Sequence, residues 1–307
     1  LADGAEEMEI LRSAPGEAHA NFRETMNGMN AIAGFDLADF VRATLAEDLG
    51  DDGDITSAAV IPADARFTGV MASRDAIAVA GLEIAEAFFR ALDPEARVER
   101  WVGEGARVSA GTELLRVEGQ GRALLTAERS ALNTVQHLSG IATLTAAYVD
   151  AIAGSGATLL DTRKTIPGLR VLEKYAVRMG GGTNHRMGLW DAAMIKDNHV
   201  AVAGGITAAV GRAVAAGIAR IIVEVDRLDQ IEPALTAGAT WLLLDNMAPA
   251  MLREAVALVA GRVPCEASGG VNLDTIRAIA ETGVDYISVG RLTQSAPAAD
   301  IGLDFAI

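Results

Sequence analysis

All three lysines of this 307-residue chain, Lys164, Lys174 and Lys196, fall within one short window, and arginine fills the other 23 of its 26 basic positions. Lysine is a compact ammonium on a flexible stem, whereas arginine is a planar fork matched to carboxylates and phosphates. A chain that writes arginine for general surface charge has kept lysine where a point charge is needed. The window from Asp161 to His199, DTRKTIPGLRVLEKYAVRMGGGTNHRMGLWDAAMIKDNH, holds seven of the 26 cations and two of the four histidines against four carboxylates. In a protein of net charge −15, that concentration predicts a site for a small, highly anionic ligand. A solvated helix face accounts for Lys174 and Arg178 but poorly for the rest. On that reading, Lys174→Arg is nearly harmless.

Other groups extend the same chemistry. Two glycine turns follow late apolar runs, Ser268-Gly269-Gly270-Val271 and Val289-Gly290-Arg291-Leu292-Thr293-Gln294-Ser295. In parallel barrels such loops offer backbone N–H groups to a phosphate. Glu224 and Asp245 close the apolar runs IIVEVD and LLLDN, where paired carboxylates could hold Mg²⁺ or accept from sugar hydroxyls. An ion pair with Lys164 or Lys196 is the competing reading. His185 and His199 are poorly spaced for zinc, and no cysteine cluster accompanies them. The triplet Gly180-Gly181-Gly182 lacks dinucleotide-fingerprint spacing, so it is expected to let backbone pass close to a ligand or another chain. Cations for carboxylates, glycine turns for phosphate and acids for a metal or ribose together describe phosphoribosyl transfer.

These residues must be positioned by a framework. Half of the residues are hydrophobic and only 4% aromatic, which predicts an aliphatic core of helices on sheet. No apolar run reaches the roughly 18 residues of a membrane helix. The segment LADGAEEMEI lacks the basic and apolar regions of a signal peptide. The single Cys265 reads as a buried strand thiol, and a reducing, cytoplasmic setting is expected. Strong acidity argues against nucleic-acid binding.

Residues 1–33 show weak periodicity and are expected to form an N-terminal extension, poorly ordered and outside the fold. Asp36 should cap a helix whose apolar face is Leu37, Phe40, Val41 and Leu45. The acidic loop that follows lacks calcium-loop spacing, because its twelfth position is Ala59. Strands are predicted at Arg66–Met71 and Ala76–Ala80, a helix at Leu82–Leu92, and further strands at Val98–Val102 and Thr112–Val117. A long helix, Leu124–Ala153, leads to alternating units with strands at Thr158–Thr162, Ala193–Lys196, Arg220–Asp226, Trp241–Asn246, Val263–Ser268 and Tyr286–Gly290. Helices at Ile206–Ala216, Pro249–Ala260 and Leu273–Thr282 separate them. Such alternation means parallel βαβ units. Almost every strand finishes in a polar group on the side where barrel enzymes place their chemistry.

The motifs EDLGDDGDITS (47–57), AERSALNTVQHLSGIAT (127–143), DTRKTIPGLR (161–170), EKYAVRMGGGTNHRMGLWDAAMIKDNH (173–199) and ASGGV (267–271) closely resemble those of the quinolinate phosphoribosyltransferases. The resemblance runs from Phe35 to Phe305. It implies an α/β chain: an N-terminal α/β sandwich domain (34–131, with the tail 296–307 packing back on it) and an incomplete α/β barrel of parallel strands (132–295). It further implies a homodimer, or a higher oligomer, with sites shared between subunits. The implied reaction joins quinolinate and phosphoribosyl pyrophosphate, with Mg²⁺, to give nicotinate mononucleotide, pyrophosphate and CO₂. Carried over by motif, Arg163, His185, Arg186 and Lys196 hold the quinolinate carboxylates, and Arg129 reaches in from the other subunit. Lys164 serves the pyrophosphate; Glu224 and Asp245 serve ribose and Mg²⁺; Ser268, Gly269, Gly270 and Gly290 surround the 5′-phosphate. The family often has histidine where this chain has Gln294, which weakens a phosphate role there and removes any proton role; Arg291 is the candidate to compensate.

Three other readings compete. One is a paralogue of the same fold acting on another base or nucleoside. A second is a Schiff-base lyase with Lys196 as nucleophile, disfavoured by its acidic neighbour Asp197. The third is a non-catalytic anion-binding protein.

Overall fold

The computed structural model describes residues 32 and 34–306; apart from residue 32, the expected extension lies outside the described residues. The chain divides into two compact units, one holding the residues up to Thr143 together with the segment from Pro297, the other Leu144–Ala296. The division therefore falls inside a long helix, later than the expected boundary at 131/132.

The first unit begins with helix α1 (Leu37–Leu49), started by Asp36, whose side chain accepts from the Asp39 N–H at 2.9 Å. Val41 and Leu45 are buried from it, and Phe40 meets Phe88 edge-on at 6.0 Å. The acidic loop is structural, because Asp54 caps a short helix α2 (Ile55–Val60) that the sequence reading missed. Strand β1 (Arg66–Ser73) lies centrally in an antiparallel sheet ordered β12-β1-β5-β3, with β3 at Arg97–Arg100, β5 at Glu113–Gln120 and β12 at Ile301–Ala306. A small pair, β2 (Ile77–Ala78) and β4 (Arg107–Val108), accompanies it. Helix α3 (Leu82–Leu92) matches its predicted bounds. Its first turn is closed by Glu104, whose carboxylate accepts from the Gly81 and Leu82 N–H groups at 2.8 and 2.7 Å.

Helix α4 (Gly121–Ala151) runs across the division. At Gly140 an added Cβ would lie 2.1 Å from the Pro297 carbonyl oxygen, so only glycine lets the returning C-terminal segment cross there. That segment then pairs with β1, Ser73 opposite Ile301 and Val70 opposite Asp304.

The second unit holds six parallel strands: β6 (Thr158–Leu160), β7 (Ala193–Ile195), β8 (Ile221–Val225), β9 (Trp241–Asp245), β10 (Cys265–Ser268) and β11 (Tyr286–Ser288). Their order, β6-β11-β10-β9-β8-β7, is cyclic in sequence with one opening, between β6 and β7. At that opening β6 makes an isolated bridge, Leu160 to Thr183. This is an incomplete barrel. Its interior packs Ala192, Ile222 and Leu243, with Met194 and Trp241 against them. Most strands stop one or two residues before their predicted ends. The polar residues there leave the ladder and become loops, which is how they reach the mouth.

Candidate active site

At that mouth a cavity of about 660 Å³ is lined from the ends of β6, β7, β9, β10 and β11, within the range of small-molecule sites. It gathers four of the predicted cations, Arg163, Lys164, Arg186 and Lys196, together with His185 and Asp245. Ser268, Gly269, Gly270, Gly290 and Gln294 line it as well, with Arg291 beside them. Glu224 does not line it, and Arg129 is exposed on α4 in the first unit.

The guanidiniums are held under electrostatic tension. Arg186 is 9% exposed, and it donates to the Ala192 carbonyl at 3.0 Å. Burial pushes its guanidinium below the usual arginine range, nearby Arg163 pushes it the same way, and Asp191 opposes both. The Nε of Arg163 is buried with no hydrogen-bond partner. Two like charges, one carrying an unused buried donor, are relieved by an arriving carboxylate.

Lys196 donates to Glu224 across β7 and β8, so the ion-pair reading of Glu224 is realised. Asp197, expected to be the acid that keeps Lys196 charged, instead accepts from the Asn198 N–H at 2.7 Å. This carboxylate partner engages the Lys196 amine and so weighs against the lyase reading.

Lys174 corrects the sequence reading outright. It belongs to helix α5 (Arg170–Met179) but is 0% exposed, its ammonium 2.5 Å from Asp161 and 3.1 Å from the His185 carbonyl. Asp161 also accepts from the His185 N–H at 2.8 Å and the Asn184 amide at 2.7 Å. Burial pushes the Asp161 carboxyl up and the Lys174 ammonium down, and each pulls the other back. Arg178, on the same helix, is exposed as expected.

His185 is placed differently from expectation. Its Nδ1 accepts from the Arg186 N–H at 2.7 Å, and its Nε2 lies 3.1 Å from Glu266. With Nδ1 accepting, Nε2 is the nitrogen that faces Glu266, so both nitrogens are engaged by the protein. The site thus contains a residue the sequence reading passed over. Glu266 lies in β10, 0% exposed, and accepts from His185 and from the Trp241 indole N–H at 2.9 Å. An acid between Cys265 and Ala267 in a strand buried on both faces was the available signal. Cys265 itself is a buried thiol pushed up to about 11 by burial, with Asp285 adding to it.

The glycines divide by role. Gly269 has φ +92°, and a Cβ there would lie 2.2 Å from the Asn246 Oδ1; at Gly290 it would meet the Lys164 Cδ at 2.8 Å. These turns let backbone approach the cavity's polar side chains. Within the triplet, a Cβ on Gly182 would strike Thr145 and Val177 at 2.8 Å. Its closeness is to this chain's own helices.

A parallel barrel whose strand ends collect opposed guanidiniums, ammoniums and glycine turns around one cavity is an enzyme framework for a small polyanion. The chain belongs to the quinolinate phosphoribosyltransferase family, as residues 54–139 match its N-terminal domain and 141–304 its C-terminal domain. It is 46% identical to the nicotinate-nucleotide pyrophosphorylase (carboxylating) of Mycobacterium leprae over 88% of this chain and 98% of that one. A quinolinate phosphoribosyltransferase (decarboxylating) of Nicotiana tabacum is 41% identical over 88% and 82%. The solved nicotinate-nucleotide pyrophosphorylase of Francisella tularensis superposes with a TM-score of 0.86 at 39% identity, covering 91% of this chain and 99% of that one.

Proposed function

We propose that this chain transfers the phosphoribosyl group of phosphoribosyl pyrophosphate to quinolinate with loss of CO₂, giving nicotinate mononucleotide and pyrophosphate for NAD biosynthesis. The observation that carries this reading is the convergence of Arg163, Lys164, Arg186 and Lys196 on one cavity bordered by the Ser268–Gly270 and Gly290 turns.

The two guanidiniums take the quinolinate carboxylates, since each repels the other until an anion intervenes. With both of its nitrogens engaged, His185 shapes this pocket through its ring edge. Holding the pyridine nitrogen against the ribose carbon supplies orientation. Lys164, kept at the mouth by the Thr293 hydroxyl bonding to its carbonyl at 2.8 Å, neutralises departing pyrophosphate. Asp245 offsets positive charge developing on the ribose. The Ser268–Gly270 and Gly290 turns take the 5′-phosphate, with Gln294 and Arg291 beside it.

Asp245 offers a hard oxygen donor in the cavity, and Glu224, on the adjacent strand outside the lining, offers a second only by leaving Lys196. Among the described residues no group of three or more candidate ligands could hold a metal alone, which suits Mg²⁺, an ion usually held by one or two carboxylates plus substrate phosphates. When bound there it would shield the pyrophosphate charge. The homodimer, with Arg129 completing the neighbouring site, and a cytoplasmic setting belong to the same proposal. Among the described residues no helix is long and apolar enough to cross a membrane.

Nicotinate lacks one carboxylate and so forfeits charge-assisted bonds of roughly 1.5–3 kcal/mol each, while leaving a buried cation unpaired. The test is formation of nicotinate mononucleotide and CO₂ from the two substrates. Comparable turnover of nicotinate, or no product from quinolinate, would sink the reading.

A further inference from the structure

Strand β9 ends in Asp245, and the next residue, Asn246, carries the chain onward in a conformation few residues take. Its φ is +55°, and among the described residues the only other non-glycine residue with positive φ is Ala260, which closes the helix Pro249–Val259. Asparagine tolerates the left-handed region better than most side chains, and such residues gather at functional sites. Three contacts meet here. The Asn246 side-chain amide donates to the Asp245 Oδ2 at 2.6 Å, and among the described residues no other hydrogen bond reaches that carboxylate. The Asn246 backbone N–H donates to the Ser268 carbonyl at 2.8 Å. The Asn246 Oδ1 occupies the space beside Gly269, where a Cβ would lie 2.2 Å from it. Asp245, Asn246, Ser268 and Gly269 all line the cavity.

We propose that Asn246 is a positioning residue for phosphoribosyl transfer, fixing the Asp245 carboxylate for the ribose and tying it to the turn that takes the 5′-phosphate. This rests on the functional reading above and deepens it. A half-buried aspartate without a donor would turn about its two side-chain bonds among several orientations. The bond to Oδ2 removes that freedom and leaves Oδ1 as the oxygen not engaged within the chain. The backbone bond to Ser268 does the rest: it holds the Ser268–Gly270 turn at a set separation from the same carboxylate. Ribose and 5′-phosphate are parts of one substrate, so a fixed separation between their partners is what orientation requires. Gly269 is the complement of this arrangement, because a Cβ there would push the Asn246 side chain off the acid. Asn246 acts through Asp245 and needs no contact with the reacting atoms.

The test separates this role from that of a plain turn residue. Asn246→Gly keeps the left-handed backbone without strain and deletes the amide. It should melt no lower than wild type, while kcat/KM for phosphoribosyl pyrophosphate falls by about 10- to 100-fold, in keeping with a misplaced group. The rise in melting temperature given by quinolinate alone should stay as in wild type, because Arg163 and Arg186 are untouched. In an Asp245→Asn background, Asn246→Gly should cost little more, since the acid it positions is gone. Wild-type kcat/KM in Asn246→Gly, a quinolinate response lost along with it, or a full additional loss in the Asp245→Asn background each overturns the proposal. Should Asn246→Gly melt lower than wild type, Asn246→Asp decides. It keeps the shape and the tolerance of positive φ but has no donor for Asp245; it should show the same loss, and wild-type kcat/KM there overturns the proposal. A wild-type chain that forms no nicotinate mononucleotide overturns the functional reading itself, and this proposal with it.

Discussion

Lys174 and Asp161 form an ion pair 2.5 Å apart with neither side chain exposed. The pair fastens helix α5 to the end of β6 and, through the His185 backbone, sets the strap that carries His185 and Arg186 into the cavity. Removing one partner strands a buried charge. Lys174→Met should therefore lose about 3–5 kcal/mol of stability, read by urea denaturation. Lys174→Arg should also be damaging, because a larger fork must enter a filled space. A Lys174→Met/Asp161→Asn double variant should lose less than the sum of its singles. Additive losses would show that the two do not act as a pair.

Arg163 and Arg186 trade stability for binding. Arg163→Met removes a like charge from beside a buried guanidinium, so the ligand-free protein should melt no lower than wild type. Quinolinate should then raise its melting temperature far less, and its KM for quinolinate should rise by about 100-fold, the loss of roughly two charge-assisted bonds. An unchanged KM would remove Arg163 from the carboxylate site.

Glycine positions give a contrast between fold and function. Gly140→Ala sets a Cβ against a backbone carbonyl, which cannot retreat without moving the C-terminal strand. It should destabilise by about 1–3 kcal/mol or more, as overpacking does. Gly290→Ala meets the flexible stem of Lys164 instead. It should fold nearly normally and lose activity by displacing that ammonium. Thermal melts and steady-state rates on both proteins check this, and equal losses of stability would contradict it.

Sharing of sites between subunits is tested by mixing. Arg129→Ala and Lys164→Ala should each be inactive alone. Refolded together, they should regain about a quarter of wild-type activity, because half of random dimers are mixed and each mixed dimer carries one intact site. No recovery in confirmed mixed dimers would place Arg129 outside the site.

Acid stability has a local contribution from Asp54. Burial alone would raise its pKa, but bonds from Ser57, Thr126 and Thr56 outweigh that and hold it below 3.8. A depressed carboxyl stabilises above its unfolded pKa and loses that contribution as pH falls through the folded value. Asp54→Ala should flatten the stability curve below about pH 4 and, by removing the cap, cost about 1 kcal/mol at neutral pH. Parallel acid-denaturation curves would argue against it.

Periodicity and caps carried much of the architecture: α3 begins and ends where predicted, Asp36 caps α1, and six apolar runs became the barrel strands. Residue type and spacing were enough to mark Arg163, Lys164, Lys196 and the glycine turns as candidates, because strand ends in a parallel barrel converge by construction, whereas Arg186, in a loop, was assigned by resemblance. Local sequence could not tell which charges turn inward. Lys174 sits at a spacing that suits either face of α5, and only the placement of β6 against that helix supplies Asp161 and excludes water. Glu266 was hidden for a related reason. A lone acid in an apolar strand acquires meaning only when His185 and Trp241, 81 and 25 residues away, close on one of its oxygens and bury the other. Hydrophobic pattern is a property of neighbours in the chain; desolvation and proton placement are properties of neighbours in space.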